Sequence, residues 1–136
     1  MTHPLKTLFV IADGSRARWV RRSETADDFV TVEEMKAGDA GDDDPQGQHA
    51  HGNEPETAHK ARRAAFAREV AAALNAQAGR QGFIRLAVVA PAHTLGDIKG
   101  GLNTTTRALL AGELAKDLTK VPDHELATWL RPLEIG

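Results

Sequence analysis

Leu8-Phe9-Val10-Ile11-Ala12-Asp13-Gly14-Ser15-Arg16-Ala17-Arg18-Trp19-Val20 is the stretch that decides how this chain begins to fold. From Thr7 to Ala12 the run is nearly continuously apolar, the pattern of a short strand covered on both faces. Asp13-Gly14 is a turn pair, in which an aspartate before glycine acts as an Asx-type cap. From Arg16 to Arg22 the alternation is looser, with Ala17 and Trp19 on one face and Arg16 and Arg18 on the other.

Working outward, Ser23 to Asp28 reads as a second turn, and Phe29 to Glu34 alternates as a third strand. Three short strands joined by tight turns make an antiparallel meander. A stretch from about residue 36 to 57 follows, rich in Gly, Asp, His and Gln and without periodicity. It is expected to be a long mobile loop. Beyond it the period changes to that of a helix. Phe66, Val70, Leu74 and Ala78 recur every four residues, predicting an amphipathic helix over 57–79 with Thr57 as N-cap and Gly79 as stop. Phe83 to Ala90 is the strongest strand in the chain, and a strand after a helix of this length implies a right-handed crossover into a parallel pairing. Thr94 to Lys99 opens a short helix ended by Gly100-Gly101. Residues 105–118 fit either a helix, through Leu110, Leu114 and Leu118, or a strand. Pro122 suits the first turn of a last helix carrying Leu126, Trp129 and Leu130 and stopping before Pro132. The expected architecture is a single α+β domain over 1–136 with an α/β-like mixed sheet. A meander followed by α-β-α is the topology of ribonuclease-H-like folds, β-β-β-α-β-α-β-α in full.

Bulk properties narrow the function classes. A chain of 136 residues with 41% hydrophobic and 26% charged residues is an ordinary globular domain. Its formal net charge of −2 gives no global attraction to nucleic acid or anionic membrane, so polyanion binding needs a local patch. The charges are in fact segregated. Between Ala37 and Ala58 there is no Lys or Arg, but there are Asp39, Asp42, Asp43, Asp44, Glu54 and Glu56. His59, Lys60, Arg62, Arg63 and Arg68 follow directly. With no cysteine, disulfides and thiolate metal sites are excluded. No apolar run is long enough to span a bilayer, and the first residues carry no signal-peptide pattern, so a cytoplasmic protein is expected.

Several residues are candidates for chemistry. Asp13, at the end of the first strand, is placed like the first ligand of a two-metal ribonuclease-H-type nuclease, which needs clustered carboxylates from several elements. Glu69 is a candidate second ligand. The end of the fourth strand, Val88-Val89-Ala90-Pro91, offers no carboxylate, and Asp97, Asp123 or Glu125 would have to substitute. His49 and His51, with Asp42 to Asp44 nearby, have donor types that zinc or iron accepts, though no third and fourth ligands are specified. Ser15 is a turn serine without a nucleophile elbow, and Gly100-Gly101 lacks the surroundings of a phosphate loop. No cofactor is implied. Trp19 and Trp129 are expected in or at the edge of the core.

Four segments are informative together: Val10 to Arg18, Ala65-Phe66-Ala67-Arg68-Glu69-Val70, Val89-Ala90-Pro91-Ala92-His93-Thr94-Leu95-Gly96-Asp97-Ile98, and Lys116-Asp117-Leu118-Thr119. With these segments the chain resembles the bacterial host attachment protein family over nearly its whole length. That family is in turn similar to the middle domain of archaeo-eukaryotic peptide-release factors, a ribonuclease-H-like fold without nuclease function. The resemblance implies a strand near 107–114 running into Lys116-Asp117-Leu118-Thr119. It also implies that the loop after the third strand corresponds to the release-factor loop whose Gly-Gly-Gln enters the peptidyl-transferase centre. Here that loop reads Asp44-Pro45-Gln46-Gly47-Gln48-His49, with Gln46 at the first glycine.

Two functional classes follow. One is a binding module for RNA, the ribosome or a protein, using Arg16, Arg18, Arg62, Arg63, Lys116 and the loop residues Gln48, His49 and His51. The other is a hydrolase, metal-dependent around Asp13 or glutamine-dependent around Gln48. A role in host attachment, as the family's name has it, would be indirect for a chain without an export signal.

Overall fold

The computed structural model describes residues 5–23, 28–37 and 56–134. Strands β1 (Leu5–Ala12), β2 (Arg16–Arg22) and β3 (Phe29–Lys36) form the expected meander. Helix α1 (Glu56–Gly79) leads to β4 (Phe83–Val89). Helices α2 (Ala92–Gly101) and α3 (Thr104–Ala108) precede β5 (Leu110–Leu114), and a short 3-10 turn, α4 (Ala127–Leu130) and a second 3-10 turn close the chain. The sheet order is β3-β2-β1-β4-β5, with β2 antiparallel to its neighbours and β1, β4 and β5 parallel. The mixed five-stranded α+β sheet is therefore as the sequence implied, including a strand in the region where periodicity left helix and strand open. Among the described residues no helix is long and apolar enough to cross a membrane.

The runs in β1 and β4 are continuous because both faces of the sheet are covered. Leu8, Val10, Ala12, Leu86, Val88 and Ala90 face one core, together with Phe66, Val70 and Leu74 of α1 and Leu95 and Ile98 of α2. Phe9, Ile11, Ala87 and Val89 face the other, beneath Leu118, Leu126 and Leu130. There Phe9 meets Phe29 edge to face at 5.4 Å, a favoured aromatic geometry. Trp19 is buried under α1, its ring N–H donating to Gln77 Oε1 at 3.1 Å, whereas Trp129 is only partly buried.

Several boundaries differ from expectation. α1 starts at Glu56, so Thr57 lies in its first turn rather than at the cap. It ends at Gly79 as expected, although the glycine is not itself the left-handed residue that terminates it. The stop is a Schellman turn in which Gly82 N–H reaches the Gln77 carbonyl and Gln81 N–H the Ala78 carbonyl. The left-handed position of that turn falls to Gln81, at φ 60°. Gly100 and Gly101 lie inside α2, which begins at Ala92. A Cβ on Gly101 would stand 2.7 Å from Ala71 Cβ, so that glycine sets the approach of α2 to α1. Asn75 fixes the same contact, donating to the Gly101 carbonyl at 3.1 Å and accepting from Asn103 N–H at 3.0 Å. The last helix breaks into α4 between two 3-10 turns, the second of which runs through Pro132. The turn expected over Ser23 to Asp28 is closed by Ser23 N–H on the Asp28 carbonyl, and residues 24–27 lie outside the described residues. The long-loop expectation falls on 38–55, also outside them.

Candidate basic site at one end of the sheet

The parallel strands β1, β4 and β5 all end at the same edge of the sheet, where α/β proteins usually place ligands. Asp13 caps the turn after β1. Its Oδ1 accepts from the backbone N–H groups of Ser15 and Arg16, both at 2.8 Å. The hydroxyl of Thr119 stands 3.1 Å from Asp13 Oδ2 and 2.6 Å from Asp117 Oδ1, so one proton serves two carboxylates. Asp13 is thus a turn cap tied to the segment after β5. Glu69 and Asp97 are exposed, and Asp123 is used elsewhere. Among the described residues no group of three His, Cys, Asp or Glu side chains could hold a metal ion.

Arg18 corrects the expectation of a surface binding group. Its place in β2 faces the second core, and the residue is only 8% exposed. A buried guanidinium needs acceptors for its fixed fork of donors. Nη1 reaches the carbonyls of Leu118, Thr119 and Val121 at 3.0, 3.3 and 2.7 Å. Nη2 donates to Asp123 Oδ1 at 2.7 Å and to Thr31 Oγ1 at 3.1 Å. Asp123 also accepts from the Thr31 hydroxyl at 2.6 Å and the Thr31 N–H at 3.1 Å. Arg18 therefore clamps residues 118–123 onto β2 and β3. Burial alone would raise the Asp123 pKa. The hydrogen bonds from Thr31 and the Arg18 guanidinium outweigh it and hold the carboxyl below its usual value.

Around this clamp a cavity of about 310 Å³ opens between β2, β3 and the 119–123 segment. Arg16, Lys36, Glu34, Thr119, Lys120 and Asp123 contribute to its wall. Lys36 enters because β3 runs two residues past the Glu34 end read from its alternation, placing Lys36 opposite Arg16 in the ladder. Neither Lys36 nor Lys120 was legible as a site residue. Only the register of β2 with β3, extended beyond Glu34, could have found Lys36. Lys120 adjoins the Lys116-Asp117-Leu118-Thr119 segment.

The other named residues lie nearby or apart as follows. Arg63 of α1 lays its aliphatic stem over the β1–β2 turn; a Cβ on Gly14 would meet Arg63 Cγ and Cδ at 2.8 Å. Arg62 is exposed and lies 3.1 Å from His59 Nδ1. Lys116 sits over the Trp129 ring, 4.7 Å from its centroid, in a cation–π contact. Gln48, His49 and His51 lie outside the described residues.

Fold and site together define a small α+β domain with a five-stranded mixed sheet and a cation-lined cavity at one end. The chain belongs to the family described as "Protein required for attachment to host cells", whose model matches residues 8–130. Among solved structures it is similar to one titled "Archaeal protein", at 13% identity and a TM-score of 0.47. That match covers 93% of this chain and 36% of the other, so this chain spans about a third of its length. No curated protein matches.

Proposed function

We propose that this protein is a cytoplasmic RNA-binding module, acting as one domain over 1–136 and docking on an RNA-bearing partner such as the ribosome. The observation that carries the reading is the packing of Arg63 on Gly14. It brings the basic half of α1, with His59, Lys60, Arg62 and Arg63, beside the turn that leads into Arg16. Two basic groups separated in sequence by the whole acidic stretch thus come to the same end of the sheet, Arg63 on the α1 side and Arg16 on the side of residues 119–123, despite a net charge of −2. Basic groups gathered in this way are the electrostatic footprint of phosphate recognition.

The strand order and directions support a ribonuclease-H-like domain. The resemblance to release-factor middle domains supports an RNA-bearing partner, with Gln48 in the loop that would approach it. Asp13 serves here as the cap holding the turn on which Arg63 rests. An effect on host attachment is, in this reading, a downstream consequence.

The test is fluorescence anisotropy of a labelled single-stranded RNA as salt is raised. Association that weakens with salt, and that Arg63→Glu weakens further, is the expected result. Absence of binding at every salt concentration would remove the reading.

A further inference from the structure

The wall of the 310 Å³ cavity carries four cations, Arg16, Arg18, Lys36 and Lys120, against two carboxylates, Glu34 and Asp123. Arg18 and Asp123 neutralise each other at 2.7 Å. Arg16, Lys36 and Lys120 have no ion-pair partner among the described residues, and neither has Glu34. Arg16 and Lys36 stand directly opposite each other across β2 and β3. Like charges in that relation repel and destabilise a sheet. Folding alone gives no reason to set two cations face to face beside a cavity and bring Lys120 up as a third.

The geometry points to a phosphate site: the cavity takes the phosphate group of a hydroxyl-bearing phosphate ester. Arg16, Lys36 and Lys120 bind the phosphate oxygens, and Glu34 accepts from a neighbouring hydroxyl. An anion there relieves the Arg16–Lys36 repulsion and forms charge-assisted hydrogen bonds. The free carboxylate of Glu34 disfavours a bare polyanion and favours a ligand that donates an O–H beside its phosphate. The volume lies at the small end of the range for ligand pockets, suited to one sugar phosphate unit. The wall itself is rigidly built, since the Arg18 clamp holds the segment bearing Lys120 against β3. The phosphate could be that of a free ester or of an RNA strand, and the inference rests on the RNA reading only for the second source.

Both sources are tested by following the backbone amide resonances of Ala17, Glu34, Thr119 and Val121 in the full chain. One titration uses ribose 5-phosphate and the other a short single-stranded RNA. Saturable shifts at these amides are expected. Lys36→Gln and Lys120→Gln should each weaken binding about tenfold, as expected for loss of a hydrogen bond to a charged group. The thermal midpoint of Lys36→Gln should be unchanged or higher, because a repulsion is removed; a merely structural lysine would lower it. A response to the ester assigns the site to small phosphate esters, and a response to RNA alone assigns it to a strand phosphate. If neither ligand moves these amides, or both variants bind as tightly as the parent, the site is refuted. RNA association that survives both lysine substitutions but is lost in Arg63→Glu would leave the RNA reading standing without the pocket. Ester binding without RNA association would do the reverse.

Discussion

The two faces of the sheet are closed by different physics. On one, α1 and α2 pack branched and small apolar side chains against Leu8, Val10, Leu86 and Val88, with Gly101 allowing the helices to meet closely. On the other, a mostly irregular segment supplies Leu118, Leu126 and Leu130, and its position is fixed by hydrogen bonds from one buried arginine. The first arrangement is sensitive to side-chain volume and adds only a few polar contacts, such as those of Asn75 and Trp19. The second needs every donor of Arg18 matched, and in return it holds charged residues at the rim of a cavity. The helical face is held by apolar packing, and the clamped face carries the charged residues that line the cavity.

The largest effect should come from the helical face. Phe66→Ala removes a fully buried ring between α1 and the sheet and should cost about 3–5 kcal/mol in chemical denaturation. A loss below 1 kcal/mol would mean that α1 is not the organising cover. On the clamped face, Arg18→Met strands three carbonyls and the Asp123 carboxylate and should cost about 2–4 kcal/mol, discounted because Asp123 is partly exposed. Arg18→Lys should recover little of this, since an ammonium cannot reproduce the planar fork. Equal stability of the lysine variant would argue against the clamp.

Gly101→Ala should cost about 1–3 kcal/mol through its collision with Ala71, and Ala71→Gly in the same chain should restore part of the loss. Additive effects would show that the two residues do not meet. The pH response separates the faces more finely. Because the folded Asp123 carboxyl titrates below its ordinary value of 3.8, its contribution is fully present above that value and is lost as pH falls through the folded pKa. Acid unfolding should therefore be shallower in Asp123→Asn below about pH 4, while Phe66→Ala keeps the parental pH profile. The smallest effect is a gain: Gln81→Gly relieves a left-handed residue after α1 and should stabilise the fold by about 1 kcal/mol.

The sequence made the helical face legible and the clamped face much less so. Four-residue spacing from Phe66 to Ala78 and the unbroken runs in β1 and β4 depend on solvent-averaged burial, which periodicity reports directly. The clamp depends on Arg18 meeting carbonyls about a hundred residues away, and no local pattern encodes that pairing. Arg18 in an alternating strand looks like a solvent-facing cation, and Asp123 after Pro122 looks like a helix-start carboxylate. Only together are they an internal ion pair. Asp13 was legible as a turn cap from its glycine, while its link to Thr119 was not. β5 was left open by periodicity because its residues are half-buried on a sheet edge. The family resemblance, not the spacing, pointed to a strand there.

The most direct test of the whole account is the slope of RNA affinity against salt concentration on logarithmic axes, starting near ~50 mM salt. Each phosphate contact removed should reduce that slope by about one unit. Arg16→Gln, Lys36→Gln and Arg63→Gln are each expected to do so, whereas Arg107→Gln, at the end of α3 and not one of these basic groups, should leave it unchanged. An RNA affinity with the parental slope in all four variants would contradict the claim that this end of the sheet is where the protein binds.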